Sequence, residues 1–198
     1  MGCGSSNEPK KQPEGLIVNN EQKKALNLDA KVVLLGDSGV GKSSIAMRYV
    51  NNTFSEAFEV TIGGGYLQQI VRLKDNSSLK LDIWDTGGQE RFRALLQLYY
   101  RDANAALITY DVTNERSLES CEYWVNELRN TEENCILCLV GNKLDIPAPE
   151  RKVDSKKAEA FAIKHGMIWF ETSAKTGENI NKLFEKVAQE IVKRKTEG

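Results

Sequence analysis

Gly36-Asp37-Ser38-Gly39-Val40-Gly41-Lys42-Ser43 fits the pattern G-x-x-x-x-G-K-[ST]. Glycines let the backbone curl there until successive N–H groups face inward toward phosphate oxygens, and a helix opening at Lys42 adds the favourable end of its dipole. Ser38, Gly39, Val40, Gly41 and Ser44 would form the cradle, Lys42 would reach the β and γ phosphates, and the Ser43 hydroxyl suits magnesium. The plain alternative, a glycine-rich turn before a helix, is open for this stretch alone. A second segment, Asn142-Lys143-Leu144-Asp145, narrows it. The Asp145 carboxylate can accept hydrogen bonds from both the ring N–H and the exocyclic amine of guanine. Adenine has no such donor pair, and an unpaired carboxylate is costly.

Two further segments complete the chemistry. In Trp84-Asp85-Thr86-Gly87-Gly88-Gln89-Glu90, Asp85 is placed to hold a magnesium-bound water, Gly88 to offer its N–H to a γ-phosphate, and Gln89 to orient an attacking water. Gln89 is thus the candidate catalytic residue. Thr61, in Val60-Thr61-Ile62-Gly63, has a hydroxyl that would complete a metal set of Ser43, Thr61 and Asp85. Both segments are expected to order with a triphosphate and loosen after hydrolysis. In Glu171-Thr172-Ser173-Ala174-Lys175, Ser173, the Ala174 N–H and the Lys175 stem are placed to hold the base from its other side.

Such residues act together only if strands and helices bring them to one edge. Residues 31–35 read as a short apolar strand ending in glycine, followed by a helix over 42–51. Residues 66–73 and 79–84 read as a hairpin around the polar turn Lys74-Asp75-Asn76-Ser77-Ser78. Further buried strands are expected at 105–110, 136–140 and 167–170. Helices are expected at 118–129, with Leu118, Cys121, Trp124, Val125 and Leu128 on one face, and at 155–164. A closing helix over 180–193 turns Leu183, Phe184, Val187 and Ile191 inward. This alternation predicts an α/β fold, a doubly wound, mostly parallel six-stranded sheet with helices on both faces. Ligands on such sheets sit at the carboxyl ends of the strands, where the motifs fall.

The 198 residues carry 40 % hydrophobic and 28 % charged side chains and a net charge of −1. That balance argues against nucleic acid as a partner. No apolar run is long enough to cross a bilayer and no secretory signal opens the chain, so a cytosolic-side protein is expected. Cys135 and Cys138 form a C-x-x-C, but side chains three apart on a strand point to opposite faces, so small core residues are the better reading. His165, the lone histidine, reads as a helix-end surface residue.

In order and spacing these motifs resemble those of the Ras-superfamily GTPases, and within them the Rab family. Ile62-Gly63-Gly64-Gly65-Tyr66, Lys80-Leu81-Asp82-Ile83-Trp84, Arg91-Phe92-Arg93, Tyr99-Tyr100-Arg101-Asp102-Ala103 and Leu107-Ile108-Thr109-Tyr110-Asp111-Val112-Thr113 carry the Rab likeness over residues 30–195. The resemblance implies a monomeric switch that binds GTP and GDP with Mg2+, acted on by an exchange factor and an activating protein and recruiting effector proteins. It implies that Phe54 packs on the guanine edge and that Tyr66, Trp84 and Tyr99 form an aromatic triad that reads effectors. Core packing alone is the bland alternative for those three rings. Gly87 stands where the family usually has alanine, and Gly63-Gly64-Gly65 is richer in glycine than usual.

Residues 1–29, polar apart from Leu16-Ile17-Val18, read as a flexible extension before a domain over 30–195. The last eight residues contain no cysteine, so C-terminal prenylation is not expected. Met1-Gly2-Cys3-Gly4-Ser5-Ser6 offers myristoylation at Gly2 and palmitoylation at Cys3, the second chain making attachment durable. This arrangement resembles the N-acylated plant and protist members of the early-endosomal Rab subgroup. It implies the cytoplasmic face of endosomal membranes, with the plasma membrane as second choice. Two functional classes remain: a hydrolysing switch, slow alone because no arginine in these motifs is placed to neutralise transition-state charge, and a GTP-holding module that hardly turns over. Gln89 and the magnesium positions favour the first.

Overall fold

Two strands are apolar at nearly every position, and this sets the architecture. β4 (Ala105–Asp111) and β5 (Ile136–Asn142) are buried along their whole length, which a strand achieves only when both faces of its sheet are covered. The computed structural model describes residues 1, 27–56, 64–73, 77–86 and 93–197. It places these strands in a six-stranded sheet of order β2-β3-β1-β4-β5-β6, with β1 at Asn27–Leu35, β2 at Gly65–Arg72, β3 at Ser78–Asp85 and β6 at Ile168–Glu171. Only β2 runs antiparallel, paired with β3 from Gly65↔Asp85 to Arg72↔Ser78. The turn residues 74–76 lie outside the described residues.

One face of the sheet is covered by α1 (Lys42–Asn51) and α6 (Ile180–Glu197), which bury Ile45, Leu183, Phe184, Val187 and Ile191 against Val32, Leu34, Leu107 and Val140. The other face, built from Val33, Leu35, Ile108 and Leu139, is covered by α3 (Glu115–Glu119), α4 (Cys121–Thr131) and α5 (Ser155–Lys164). Cys138 belongs to the first core and Cys135 to the second, so the C-x-x-C pair is split by the sheet. Desolvation pushes the Cys135 thiol up to about 12 and the Cys138 thiol further.

Several boundaries differ from the sequence reading. The helix expected over 118–129 is two helices meeting at Ser120, and its five predicted apolar residues are all buried. It begins earlier because the Asn114 side chain caps α3, accepting from the Arg116 N–H at 3.2 Å. α2 (Arg93–Tyr100) was not anticipated by the sequence reading. β1 starts at Asn27, since parallel pairing continues through Asn27↔Ser78 and Asp29↔Lys80 where the side chains turn polar. The folded domain therefore takes in residues 27–29, which the sequence assigned to the flexible extension. α6 runs four residues past 193, where Arg194 donates to the Asn134 carbonyl and Lys195 to that of Asp29. His165 does follow α5, but its side chain is only 13 % exposed, lying 3.0 Å from Glu122 and against the Phe161 ring. No described helix is long and apolar enough to cross a membrane.

Candidate functional site

β1 ends at Leu35 and the chain turns sharply at Gly36, whose φ is 133°. A side chain could not fit there: a Cβ would lie 2.2 Å from the Thr109 carbonyl oxygen. Gly39 (φ 78°) and Gly41 (φ 99°) keep the loop in backbone regions that disfavour other residues, and a Cβ on Gly41 would lie 2.2 Å from Asn142 Nδ2. The Lys42 side chain is 4 % exposed, so its charge must be paired, and its Nζ donates to the Gly36 and Asp37 carbonyls at 2.8 Å each. The ammonium thus closes over its own loop. Val40 is buried, while Ser38 and Gly39 are exposed and Ser43 and Ser44 half-buried.

Asn142, the last residue of β5 and 2 % exposed, ties this loop to the rest of the site. Its Nδ2 donates to the Val40 carbonyl at 2.9 Å, and its Oδ1 accepts from the Ala174 N–H at 3.1 Å. The sequence had offered that N–H to the base; the structure gives it to Asn142. Lys143 follows in a left-handed conformation (φ 73°), with Nζ 2.5 Å from Asp111 Oδ2. Asp111 ends β4 directly opposite Asn142, and its other oxygen accepts from the N–H and hydroxyl of Thr113. The Ser173 hydroxyl donates to Asp145 Oδ1 at 2.5 Å and accepts from the Thr176 N–H, which fixes the carboxylate while Oδ2 keeps no protein hydrogen bond among the described residues. Lys175 forms an exposed ion pair with Glu56 at 2.8 Å. Phe54 is half-buried on the first core, just past the end of α1.

Asp85 closes β3 as a buried carboxylate, and Ser43 stands in the first turn of α1. A hydroxyl and a carboxylate are the hard oxygen donors that magnesium accepts, so the described residues of the metal set fit that ion. No cluster of three or more His, Cys, Asp or Glu suited to a metal occurs among the described residues. Thr61, Gly87, Gly88, Gln89, Gly2 and Cys3 lie outside the described residues.

Tyr66, Trp84 and Tyr99 do meet. Tyr66 pairs with Trp84 across β2 and β3, the rings edge-on at 5.2 Å, and Trp84 meets Tyr99 edge-on at 6.2 Å. Trp84 also packs on the second core. The Lys31 ammonium lies 5.1 Å from the Trp84 ring centre and donates to the Arg101 carbonyl. Gly64 is required beneath them, because a Cβ there would come within 2.6 Å of Tyr99 Cε1.

Sequence reasoning missed Asp111 and Arg48. Asp111 had a signal, a carboxylate ending a mostly apolar strand. Arg48 had none, because its partners at Ala174 and Lys175 are far away in sequence. A groove of about 850 Å³, lined by Asn104, Ile136, Ile191 and Arg194 among others, touches none of the segments 36–44, 142–145 and 173–175.

A family model described as Ras family matches residues 31–193, the frame from β1 into α6. The chain is 44 % identical over 200 residues to Ras-related protein Rab-5B of Plasmodium falciparum, covering 98 % of this chain and 95 % of that protein. It is 45 % identical over 174 residues to GTP-binding protein ypt5 of Schizosaccharomyces pombe, covering 87 % and 82 %. To Ras-related protein Rab-5A of Dictyostelium discoideum it is 45 % identical over 167 residues, covering 84 % and 82 %.

Proposed function

This chain belongs to the Ras family, on its Rab5-like branch, and from that premise we propose that loop 36–44, Asp85 and segments 142–145 and 173–175 form its guanine-nucleotide site. The protein is a GTP-binding and GTP-hydrolysing switch. The observation that carries the assignment of residues is Asn142, which joins the phosphate cradle at Val40 to the base loop at Ala174. One buried amide thereby sets the distance between the part that holds phosphates and the part that reads the base. Asp145, oriented by Ser173, accepts from the guanine ring N–H and amine. Lys143 lies along the ligand, its ammonium held by Asp111. Phe54 and the Lys175 stem cover the base edges, and Lys42 and the loop N–H groups hold the β and γ phosphates.

Ras-family GTPases use magnesium, which when bound neutralises charge between the β and γ phosphates. Ser43, Asp85 and Thr61 are the residues of this chain that would hold it. Gln89 orients the attacking water and Gly88 donates to the γ-phosphate, so Gln89→Leu is expected to slow hydrolysis stimulated by an activating protein while GTP affinity stays near wild type. Equal single-turnover rates would remove Gln89 from that role.

The base assignment has a direct test. Xanthine carries an oxygen where guanine has its amine, so an amide at 145 would donate where the carboxylate accepts. Asp145→Asn should bind XTP more tightly than GTP, reversing the wild-type order, and competition between the two nucleotides reads this out. Retained GTP preference would overturn the assignment.

The switch acts in endosomal membrane traffic, exchanging effectors as a monomer under the control of an exchange factor and an activating protein. Membrane attachment comes from a myristoyl chain on Gly2 and a palmitoyl chain on Cys3, since one chain alone holds only marginally. Intact mass of the protein from its own cells, before and after hydroxylamine, tests this. A myristate that survives and a palmitate that is lost would support the double anchor; an unmodified N-terminus would end it.

A further inference from the structure

Arg48 lies near the end of α1 and sends its donors in two directions. Nη1 donates to the carbonyl and side-chain oxygens of Asn52, at 3.1 and 3.2 Å, where the chain leaves the helix in a left-handed conformation. Nε donates to the Ala174 carbonyl at 2.8 Å and Nη2 to the Lys175 carbonyl at 2.7 Å, partners 126 and 127 residues away. An arginine that merely closed its own helix would have stopped at Asn52. Ala174 is consequently gripped on both sides, its N–H by Asn142 and its carbonyl by Arg48. The Lys175–Glu56 ion pair makes a second link between the same two segments.

We propose that Arg48 is a positioning residue for the nucleotide base. It holds the 174–175 loop in place and, with the Lys175–Glu56 pair, ties base release to the chain that leaves α1 as far as Glu56. The inference rests on the base-loop reading above. The planar guanidinium is suited to this task because its fork reaches neighbouring carbonyls and an unrelated segment at once, which an ammonium cannot do. Arg48 is only half-buried, so water can replace its bonds when it is removed. The expected consequence is a loosened loop in a folded protein.

The experiment is the dissociation rate of fluorescent GDP, chased with excess GTP, from the full-length protein and its variants, each also checked by thermal unfolding. Arg48→Gln should release GDP roughly tenfold faster, as for the loss of bonds from a charged donor. Arg48→Lys, able to reach one carbonyl, should fall between it and wild type. Glu56→Gln, which removes only an exposed pair and cannot disturb the core, should speed release by about twofold or less. A structural role alone is separated by a double-mutant cycle: in an Asp145→Ala background, where base recognition is already lost, Arg48→Gln should add about twofold at most. Unchanged release in Arg48→Gln, or the same factor in both backgrounds, would overturn the proposal. Should Asp145→Ala itself leave release unchanged, the base-loop reading fails first and this inference with it.

Discussion

The base side of the site and the aromatic face on β2 and β3 are held by contacts of different kinds. On the base side, buried polar groups are bonded to partners far away in sequence, Asn142 to Val40 and Ala174 to Asn142, and Lys42 is bonded to its own loop. On the aromatic face, Tyr66 is 50 % exposed, its ring meets Trp84 edge-on, and its hydroxyl donates to Asp82 at the surface. Buried polar networks fix one geometry because each lost bond strands a partner away from water. Edge-on rings and solvent-facing hydrogen bonds have near-equivalent alternatives, so the surface can shift. The first construction suits the proposed recognition of one invariant base, and the second suits the proposed meeting with several proteins.

The sharpest way to break this contrast is at Asn142. Asn142→Ala would leave the Val40 carbonyl and the Ala174 N–H without their partner, and we expect a loss of about 2–4 kcal/mol in unfolding free energy. Nucleotide release should accelerate by on the order of a hundredfold, since cradle and base loop lose their common tie. Urea unfolding and GDP dissociation on the same preparation would read both; a stability change near zero would mean the network is ornamental. Gly41→Ala attacks the same place from the other side. The residue would be forced into φ 99° with its Cβ against Asn142, at an expected cost of about 1–3 kcal/mol. Nucleotide affinity should fall with it, and calorimetry of GDP binding would show whether it does.

How far the contrast could be read beforehand depends on the range of the signals. The parallel sheet was legible because β4 and β5 are apolar at nearly every position, and α1 because it follows directly on the glycine loop. The motifs were legible because each is contiguous, and the structure brings 36–44, 85, 142–145 and 173–175 to one edge of the sheet. The ties among them were not. Asn142 was visible as a member of Asn-Lys-x-Asp, yet nothing local indicates that its amide bonds to Val40 102 residues earlier. Arg48 looked like any polar residue on a helix, and Asn27–Asp29 looked like a linker because backbone pairing leaves no trace in side-chain polarity.

A buried hydroxyl shows the opposite case. Thr109 Oγ1 is the one buried side-chain polar atom without a hydrogen-bond partner among the described residues, and it sits in β4 behind the loop at Gly36. Thr109→Val keeps the shape and removes the stranded group, so stability should rise by about 1 kcal/mol with GDP release unchanged. Chemical denaturation decides it: a loss of stability would show that the hydroxyl takes part in the network after all.

The smallest effect is expected on the aromatic face, and there the two properties should separate. The Asp82 hydrogen bond raises the Tyr66 phenol above its usual value, so that stabilisation is present at neutral pH and is lost only as pH rises through the raised value. Because the group faces solvent, Tyr66→Phe removes a bond that water readily replaces, and the urea midpoint should stay within error of wild type at neutral pH. The ring, and with it the edge contact to Trp84, is preserved. Binding of an effector protein that reads this face should nonetheless weaken several-fold if the hydroxyl is part of what is read, because Gln68, Asp82 and Tyr66 form one hydrogen-bonded set at the surface. Titration of the GTP-bound variant against such an effector distinguishes the outcomes. Weakened binding with unchanged stability would make the face a reading surface in its own right. A fall in stability of the size seen at Asn142 would mean that both regions are built the same way.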